Sequence, residues 1–391
     1  MQGDATASGG GRKPWDRDAA TRIQGHVRIL IIGGGIFGVT AALELRRRQH
    51  IVCISDVSEI PAPDAESTDI SKIVRLDYGA DELYTEWMEV ALKRWRAWSQ
   101  AWGEDLFHET GVAFATAHTM TAGEFEFESR RVLLARGHAL ESRIPTGLHG
   151  MGDGYWNPQG GWAESGRVVA RLAAEAGAAG VEIRRGSVTP DVALAQGFDH
   201  VVVAAGAWTQ RLVPALAGVL RSTAQPVFHL RPCEPALYHP SIFPVFGADI
   251  SNTGWYGFPL HPSGVVKLAN HGAGRSVDPL APRSVTSEQV EDMWSFVQNT
   301  IPSLSRAELV YTRACVYGDT PDGHLWIARD PENPRVTVAA GGSGHAFKFA
   351  PVLGEVIADT VEGIAHPMSH RFRWRTDTIA ARSAEEARAG R

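Results

Sequence analysis

A run of apolar residues, Val27-Arg28-Ile29-Leu30-Ile31-Ile32, leads without a break into Gly33-Gly34-Gly35-Ile36-Phe37-Gly38. This predicts a short buried strand, a tight turn and the start of a helix, the G-x-G-x-x-G arrangement of a dinucleotide-binding unit. Gly33 allows the turn, Gly35 lets the backbone approach a pyrophosphate, and Gly38 lets helix and strand pack closely. The helix N-terminus then presents N–H groups and the positive end of a dipole to phosphate. Ile51-Val52-Cys53-Ile54-Ser55-Asp56 reads as the second strand, ending in a carboxylate 23 positions beyond Gly33. That is about the spacing at which an acid holds an adenosine ribose; the alternative for Asp56 is a turn-forming aspartate.

After a loop rich in Pro, Ala, Asp and Ser at 61–68, residues 81–102 place Leu83, Trp87, Ala91, Trp95 and Trp98 at helical spacing. They predict a helix whose aromatic stripe is core. A strand is expected over 106–116, a helix over 122–137, a helix from Glu164 to about Ala178, and a strand near Val181–Arg184. Val201–Ala205 is apolar throughout and runs into Gly206-Ala207-Trp208, as a parallel strand beside a cofactor would. Residues 226–273 read as antiparallel strands with Gly/Pro turns, 286–299 as a helix, and 309–317, 324–328 and 335–340 as strands. A second glycine-rich turn, Gly341-Gly342-Ser343-Gly344, then opens a helix running to about Val361.

The fold class expected is α/β: a Rossmann-type nucleotide-binding domain with an inserted, mainly antiparallel α+β substrate domain. The first is discontinuous, over 26–80, 150–225 and 312–391; the second takes 81–149 and 226–311; residues 1–25 form a polar, mobile arm.

A net charge of −6 gives no reason to expect a nucleic-acid partner. No apolar run is long enough to cross a bilayer, and the N-terminus lacks the apolar core of a signal peptide. Three cysteines, Cys53, Cys233 and Cys315, make no disulfide framework and fit a reducing compartment. The chain does not end in a peroxisomal tripeptide, so a cytoplasmic location is expected, and no metal site is read. Five lysines stand against 33 arginines. In so Arg-biased a chain a lysine in a glycine-rich or apolar setting carries information, because its compact ammonium differs from a guanidinium fork. Lys267, between Val266 and Leu268, and Lys348, after the second glycine turn, are such cases.

Three segments together, Ala314-Cys315-Val316-Tyr317, Thr320-Pro321-Asp322 and Gly341–Phe349, make the chain resemble the flavin-dependent amine oxidases of the sarcosine oxidase, fructosyl amino-acid oxidase and saccharopine oxidase group. The similarity runs from about residue 27 to residue 365. It implies FAD as cofactor, joined covalently through Cys315. Attack on the flavin methyl needs a thiolate, favoured by nearby positive charge, and Arg313 would share the strand face of Cys315. The resemblance further implies cofactor contacts from Gly33, Gly35, Ile36, Phe37, Gly38, Asp56, Ser71, Lys72, Val188, Gly206 and Trp208. At the second turn it implies them from Gly342, Gly344, His345, Phe347 and Lys348.

By the same resemblance Arg75 and Lys348 bind a substrate carboxylate, and Lys267 activates oxygen by stabilising developing superoxide charge. Tyr256, His271 and Tyr317 fall where substrate-pocket residues lie. Lys72 stands where sarcosine oxidase has an arginine, and Arg373 and Arg375 could add a cation for a larger substrate. Read without the resemblance, Arg75 could be a surface arginine, Lys267 an outward strand lysine and Lys348 a solvated one.

The activity implied is oxidation of a secondary amine, an N-substituted amino acid of N-methyl, fructosyl or saccharopine/pipecolate type, to an imine with release of hydrogen peroxide. The partners expected are that amine and oxygen, with no membrane, and the protein a monomer. The rival functions are an amine dehydrogenase with a non-oxygen acceptor, a natural-product tailoring oxidase, a NAD(P)-dependent enzyme, and a non-catalytic flavin-binding protein.

Overall fold

The computed structural model describes residues 25–79, 81–119, 135–136 and 148–376. The expected arm at 1–25 and helix at 122–137 lie almost wholly outside these; the described pair Ala135–Arg136 is a short strand.

The chain opens as its first residues dictate. Strand β1 (Arg28–Ile32), helix α1 (Ile36–Arg47) and strand β2 (Ile51–Asp56) form the first unit. With β9 (Glu182–Arg185), β10 (His200–Val203), β17 (Trp326–Arg329) and β18 (Val336–Ala340) they build a six-stranded sheet ordered β17-β18-β10-β1-β2-β9. All neighbours pair in parallel except β17 and β18. Burial on both faces explains the unbroken Val/Ile runs. It also puts Gly33, Asp56, the Ala204–Gly206 turn and Gly341 at the carboxyl ends of four adjacent strands, where open α/β sheets bind ligands.

Two glycines make this edge close. A Cβ on Gly33, which has φ +108°, would lie 2.4 Å from the Ala204 carbonyl oxygen, and one on Gly38 would lie 1.9 Å from that of Gly33. Any side chain there would push α1 off the sheet.

The second layer is a nine-stranded sheet. Its spine is the long hairpin-like pairing of β11 (Arg221–Arg231) with β16 (Glu308–Asp319), extended by β14 (Val266–Asn270), β13 (Trp255–Gly257), β12 (Val245–Ala248), β5 (Val112–Thr116) and β7 (Asp153–Asn157). It is antiparallel except where β12 meets β5. A small third sheet joins β3 (Lys72–Arg75), β8 (Gly160–Ala163) and β4 (Phe107–His108). The single strand expected over 106–116 is thus two strands in different sheets, because Gly111 turns the chain at φ +75° with the Trp156 indole packed where a Cβ would go.

Helix α2 (Glu82–Trp102) starts where the Asp81 side chain accepts from the Tyr84 N–H and stops at Gly103 in the left-handed conformation. Its face of Tyr84, Trp87, Met88, Ala91, Leu92 and Trp95 is buried. That face supports the site directly. Trp95 donates its indole N–H to the Lys348 carbonyl at 2.8 Å, and Trp87 stacks on Phe349 with centroids 4.3 Å apart.

Candidate functional site

The second glycine turn does not open the last long helix. Gly341, Ser343 and Gly344 all have positive φ (68°, 45° and 75°), a geometry that a right-handed helix excludes. A 3-10 turn, Ala346–Phe349, intervenes before α3 (Ala350–Glu362). Lys348 therefore sits in a buried turn clamped by Trp95, rather than in solvent at a helix start.

This turn walls a cavity of about 270 Å³. Tyr317 on β16, Tyr256 on β13, His271 just after β14 and Arg75 from β3 line it as well. The His271 ring lies 5.7 Å from Tyr317 and 6.5 Å from Tyr256. Gly344 fits between them only because it lacks a side chain: a Cβ would lie 2.3 Å from the Tyr317 ring. Burial pushes the Tyr256 phenol up to about 12, opposed by the Lys72 charge, so it stays protonated.

Arg75 and Lys348 meet over one ring. The Arg75 guanidinium is 4.6 Å and the Lys348 ammonium 4.8 Å from the Tyr78 centroid, and Lys348 donates to the Tyr78 hydroxyl at 2.8 Å. Tyr78 is held in turn by His345 Nδ1 at 2.8 Å, whose Nε2 pairs with the Gly323 carbonyl. Arg75 is aimed by a hydrogen bond to the Asp77 carbonyl. Neither cation is a surface residue.

Lys267 is not the outward strand lysine that its position allows. It is 1% exposed, donates to Asp69 Oδ2 at 2.7 Å and to the Ser71 carbonyl at 2.6 Å, and lies 4.7 Å from the Phe258 centroid. Burial pulls the ammonium down to about 8, against the opposing pull of Asp69. Burial pushes the Asp69 carboxyl up, but Lys267, His229 and Lys72 together hold it well below the usual carboxylate range.

Cys315 is fully buried, and the cation beside it is Lys72, with Nζ 3.8 Å from Sγ. The nearness of Arg313 along the strand suggested otherwise, but its guanidinium reaches the Thr68 and Ala65 carbonyls and fixes the loop after β2. Burial works against the Lys72 charge, and Cys315 and Asp69 more than offset it, so its pKa is raised.

The glycine edge is near at hand. Ile36 N–H donates to Ser67 Oγ, and Gly34 N–H to Asp56 Oδ2 at 2.7 Å. Asp56 also accepts from Ser58, so it both turns the chain and stands at the first glycine turn. Glu66, in the same loop, accepts from the Gly318 N–H at 3.4 Å and lies against Gly342. Gly206 touches Gly318, and Trp208 stacks under Arg283. Phe37 and Phe347 pack into the core around α1 and α2, whereas Val188 packs with the apolar cluster around Val201 and Val203. The tail arginines do not reach the cavity: Arg375 grips Asp322 at 2.6 and 2.7 Å, and Arg373 binds the His370 carbonyl.

These features suit a long dinucleotide. Glycines without Cβ atoms line the sheet edge, a thiol lies beside an ammonium, and the hydroxyls of Thr68 and Ser71 are buried without a protein partner on the loop between the two turns. Asp69, Asp77, Tyr78 and Asn157 were not anticipated as site residues. Asp69 and Asp77 flank the Lys72–Arg75 segment, and their spacing to those cations was the available signal.

Comparison with known proteins agrees with the geometry. The chain is 26% identical over 361 residues to a monomeric sarcosine oxidase from Bacillus sp. (strain NS-129), covering 85% of this chain and 92% of that one. It is 26% identical to an N-methyl-L-tryptophan oxidase from Salmonella dublin, covering 86% and 94%. Its fold matches that of the fructosyl amine:oxygen oxidoreductase Amadoriase I from Aspergillus fumigatus with a TM-score of 0.75, at 23% identity and 90% coverage of each chain. Among the described residues, no helix is long and apolar enough to cross a membrane. Residues 28–360 match the family described as FAD dependent oxidoreductase, and the chain belongs to that family.

Proposed function

We propose that this enzyme oxidises an N-substituted α-amino acid at its secondary amine, giving an imine, and passes the electrons to oxygen to form hydrogen peroxide. The observation that carries the reading is the convergence of Arg75 and Lys348 over Tyr78 in the wall of an aromatic cavity. A buried ammonium and a half-buried guanidinium beside a small aromatic space suit a carboxylate attached to an organic amine. The relatives named for sarcosine and N-methyl-L-tryptophan support an N-alkyl amino acid. The structural neighbour named for fructosyl amine extends the class to larger N-substituents.

FAD, when bound, accepts the hydride equivalent and later gives up both electrons. The protein holds the substrate carboxylate on Arg75 and Lys348, so positioning does much of the work. Tyr256, Tyr317 and His271 exclude water from the amine. A neutral amine supplies its own lone pair, so no general base is needed. Lys267, buried and paired with Asp69, offers a fixed ammonium to negative charge developing on oxygen. Cys315 is the point of covalent attachment, with the Lys72 ammonium 3.8 Å from its sulfur. Glycine-edge residues and the loop at 57–71 belong to a discontinuous FAD-binding domain, and the nine-stranded sheet to a substrate domain. The enzyme acts as a monomer in the cytoplasm; a relative with "monomeric" in its name supports the first, and the free cysteines support a reducing compartment.

The test is anaerobic mixing of the yellow protein with N-methyl, N-fructosyl and cyclic secondary amino acids. Bleaching of the flavin by at least one of them is expected, followed by recovery of colour and peroxide formation when oxygen is admitted. Bleaching by none of them would refute the reading. Bleaching without recovery in oxygen would make the enzyme a dehydrogenase.

A further inference from the structure

The ring of His345 has no part in the reaction as set out above, yet both its nitrogens are committed. Nδ1 lies 2.8 Å from the Tyr78 hydroxyl, and Nε2 lies 2.8 Å from the Gly323 carbonyl oxygen. Tyr78 in turn takes a hydrogen bond from the Lys348 ammonium at 2.8 Å. His345, Tyr78 and Lys348 are all buried, and all three line the cavity.

The ends of this chain fix its direction. An ammonium can only donate, and a carbonyl can only accept. Lys348 therefore donates to the Tyr78 oxygen, and His345 Nε2 carries a proton for Gly323. In the neutral ring Nδ1 then keeps its lone pair and accepts the Tyr78 proton. The order is Lys348 to Tyr78 to His345 to Gly323, and each bond polarises the next. Tyr84 and Phe349 hold the imidazole in this orientation, with centroids 5.8 and 6.4 Å from its own.

Trp95 fixes the backbone of Lys348, but not the flexible four-carbon stem between that backbone and the charge. The Tyr78 oxygen fixes the far end. It is a neutral acceptor, so it holds the ammonium without cancelling its charge, unlike the Asp69 carboxylate on Lys267. Resting on the carboxylate reading of the cavity, we propose that His345 is a positioning residue for the reaction. By accepting the Tyr78 proton it turns the phenol oxygen to Lys348, so that the ammonium meets the substrate carboxylate in a set direction. Without that acceptor the lysine stem loses its hold, and the cost of ordering it falls on substrate binding.

The test compares two substitutions, each keeping half of what the ring does. His345→Asn puts a side-chain oxygen at the δ position as an acceptor for Tyr78, and drops the ε donor. His345→Gln puts an amino group at the ε position as a donor for Gly323, and drops the δ acceptor. Binding to the holoenzyme is measured by titration calorimetry with (methylthio)acetate and (benzylthio)acetate, in which a thioether replaces the amine. Their primary amides serve as uncharged controls.

His345→Asn should bind these acids about tenfold or more tightly than His345→Gln, the scale of one hydrogen bond to a charged group. The amides should not separate the two variants. Tyr78→Phe, which deletes only the hydroxyl, should weaken acid binding about as much as His345→Gln does. Equal acid affinities in the two His345 variants, tighter binding by His345→Gln, or unchanged binding in Tyr78→Phe would each overturn the inference. The same separation for acids and amides would also overturn it, because Lys348 would then not be the intermediary. If neither acid binds the native protein, the carboxylate dock on Arg75 and Lys348 falls, and this inference with it.

Discussion

Replacing Asp69 by Asn removes the anion from a buried pair in which both side chains are 2% exposed and 2.7 Å apart. An ammonium left charged without a partner costs about 3–5 kcal/mol. Lys267 has an escape, because burial has already pulled it down to about 8, and losing Asp69 lowers it further. At pH 7 the native lysine needs to release its proton only about one pH unit below that value, which costs about 1.4 kcal/mol. At pH 9 the native lysine is mostly neutral already, and the same cost falls below about 0.1 kcal/mol.

The sign follows from proton counts. The folded pKa lies below the free-lysine value of about 10.4, so the unfolded chain binds more protons and native stability from this group rises with pH between them. In Asp69→Asn that rise starts lower, so the two proteins converge as pH increases from 7 to 9. Urea unfolding at several pH values, followed by tryptophan fluorescence, should show the stability gap shrinking by about 1.4 kcal/mol over that range. His229 faces Asp69, with Nε2 3.7 Å from Oδ1. Lys72 also faces Asp69, and its own raised pKa keeps it charged throughout. A gap of several kcal/mol that does not change with pH would refute the argument, showing that Lys267 keeps its proton in the variant.

Cys315→Ala should yield protein whose yellow colour leaves with the supernatant on acid precipitation, whereas native colour stays with the pellet; equal behaviour would rule out covalent attachment. Arg75→Met should lower kcat/KM for every carboxylate substrate by about 10²–10³, the usual loss for one charge-stabilising group, with a smaller effect on a decarboxylated amine. In Gly344→Ala the new Cβ would stand 2.3 Å from the Tyr317 ring at a φ of +75°, so the ratio of flavin to protein absorbance should fall sharply while far-ultraviolet circular dichroism changes little. Arg375→Met leaves Asp322 buried without its partner, and should reduce stability by about 3–5 kcal/mol without changing KM.

Much of the cofactor edge was legible from residue order. Gly33, Asp56 and Gly206 follow or end apolar strands and Gly38 lies in the first turn of α1, and the strand–turn–helix period places them without knowledge of the rest. The last glycine turn was legible as a turn, but not its separation from α3, since the backbone conformations of Gly341, Ser343 and Gly344 decide that. The aromatic stripe of α2 was legible as core, but its service to Lys348 through Trp95 crosses 253 positions of chain.

The sequence by itself determined the strand–turn–helix edge of glycines, that Cys315 and Lys348 stand in unusual surroundings, and which chemistry such surroundings resemble. These are local properties, carried by neighbours a few residues apart. Tertiary structure alone decided which charges meet: Lys267 with Asp69, Lys72 instead of Arg313 with Cys315, and Arg375 with Asp322 instead of substrate. Coulomb energies and hydrogen bonds depend on distance and burial, and pairing of strands far apart in the chain, up to 171 positions for Ile29 and His200, sets both.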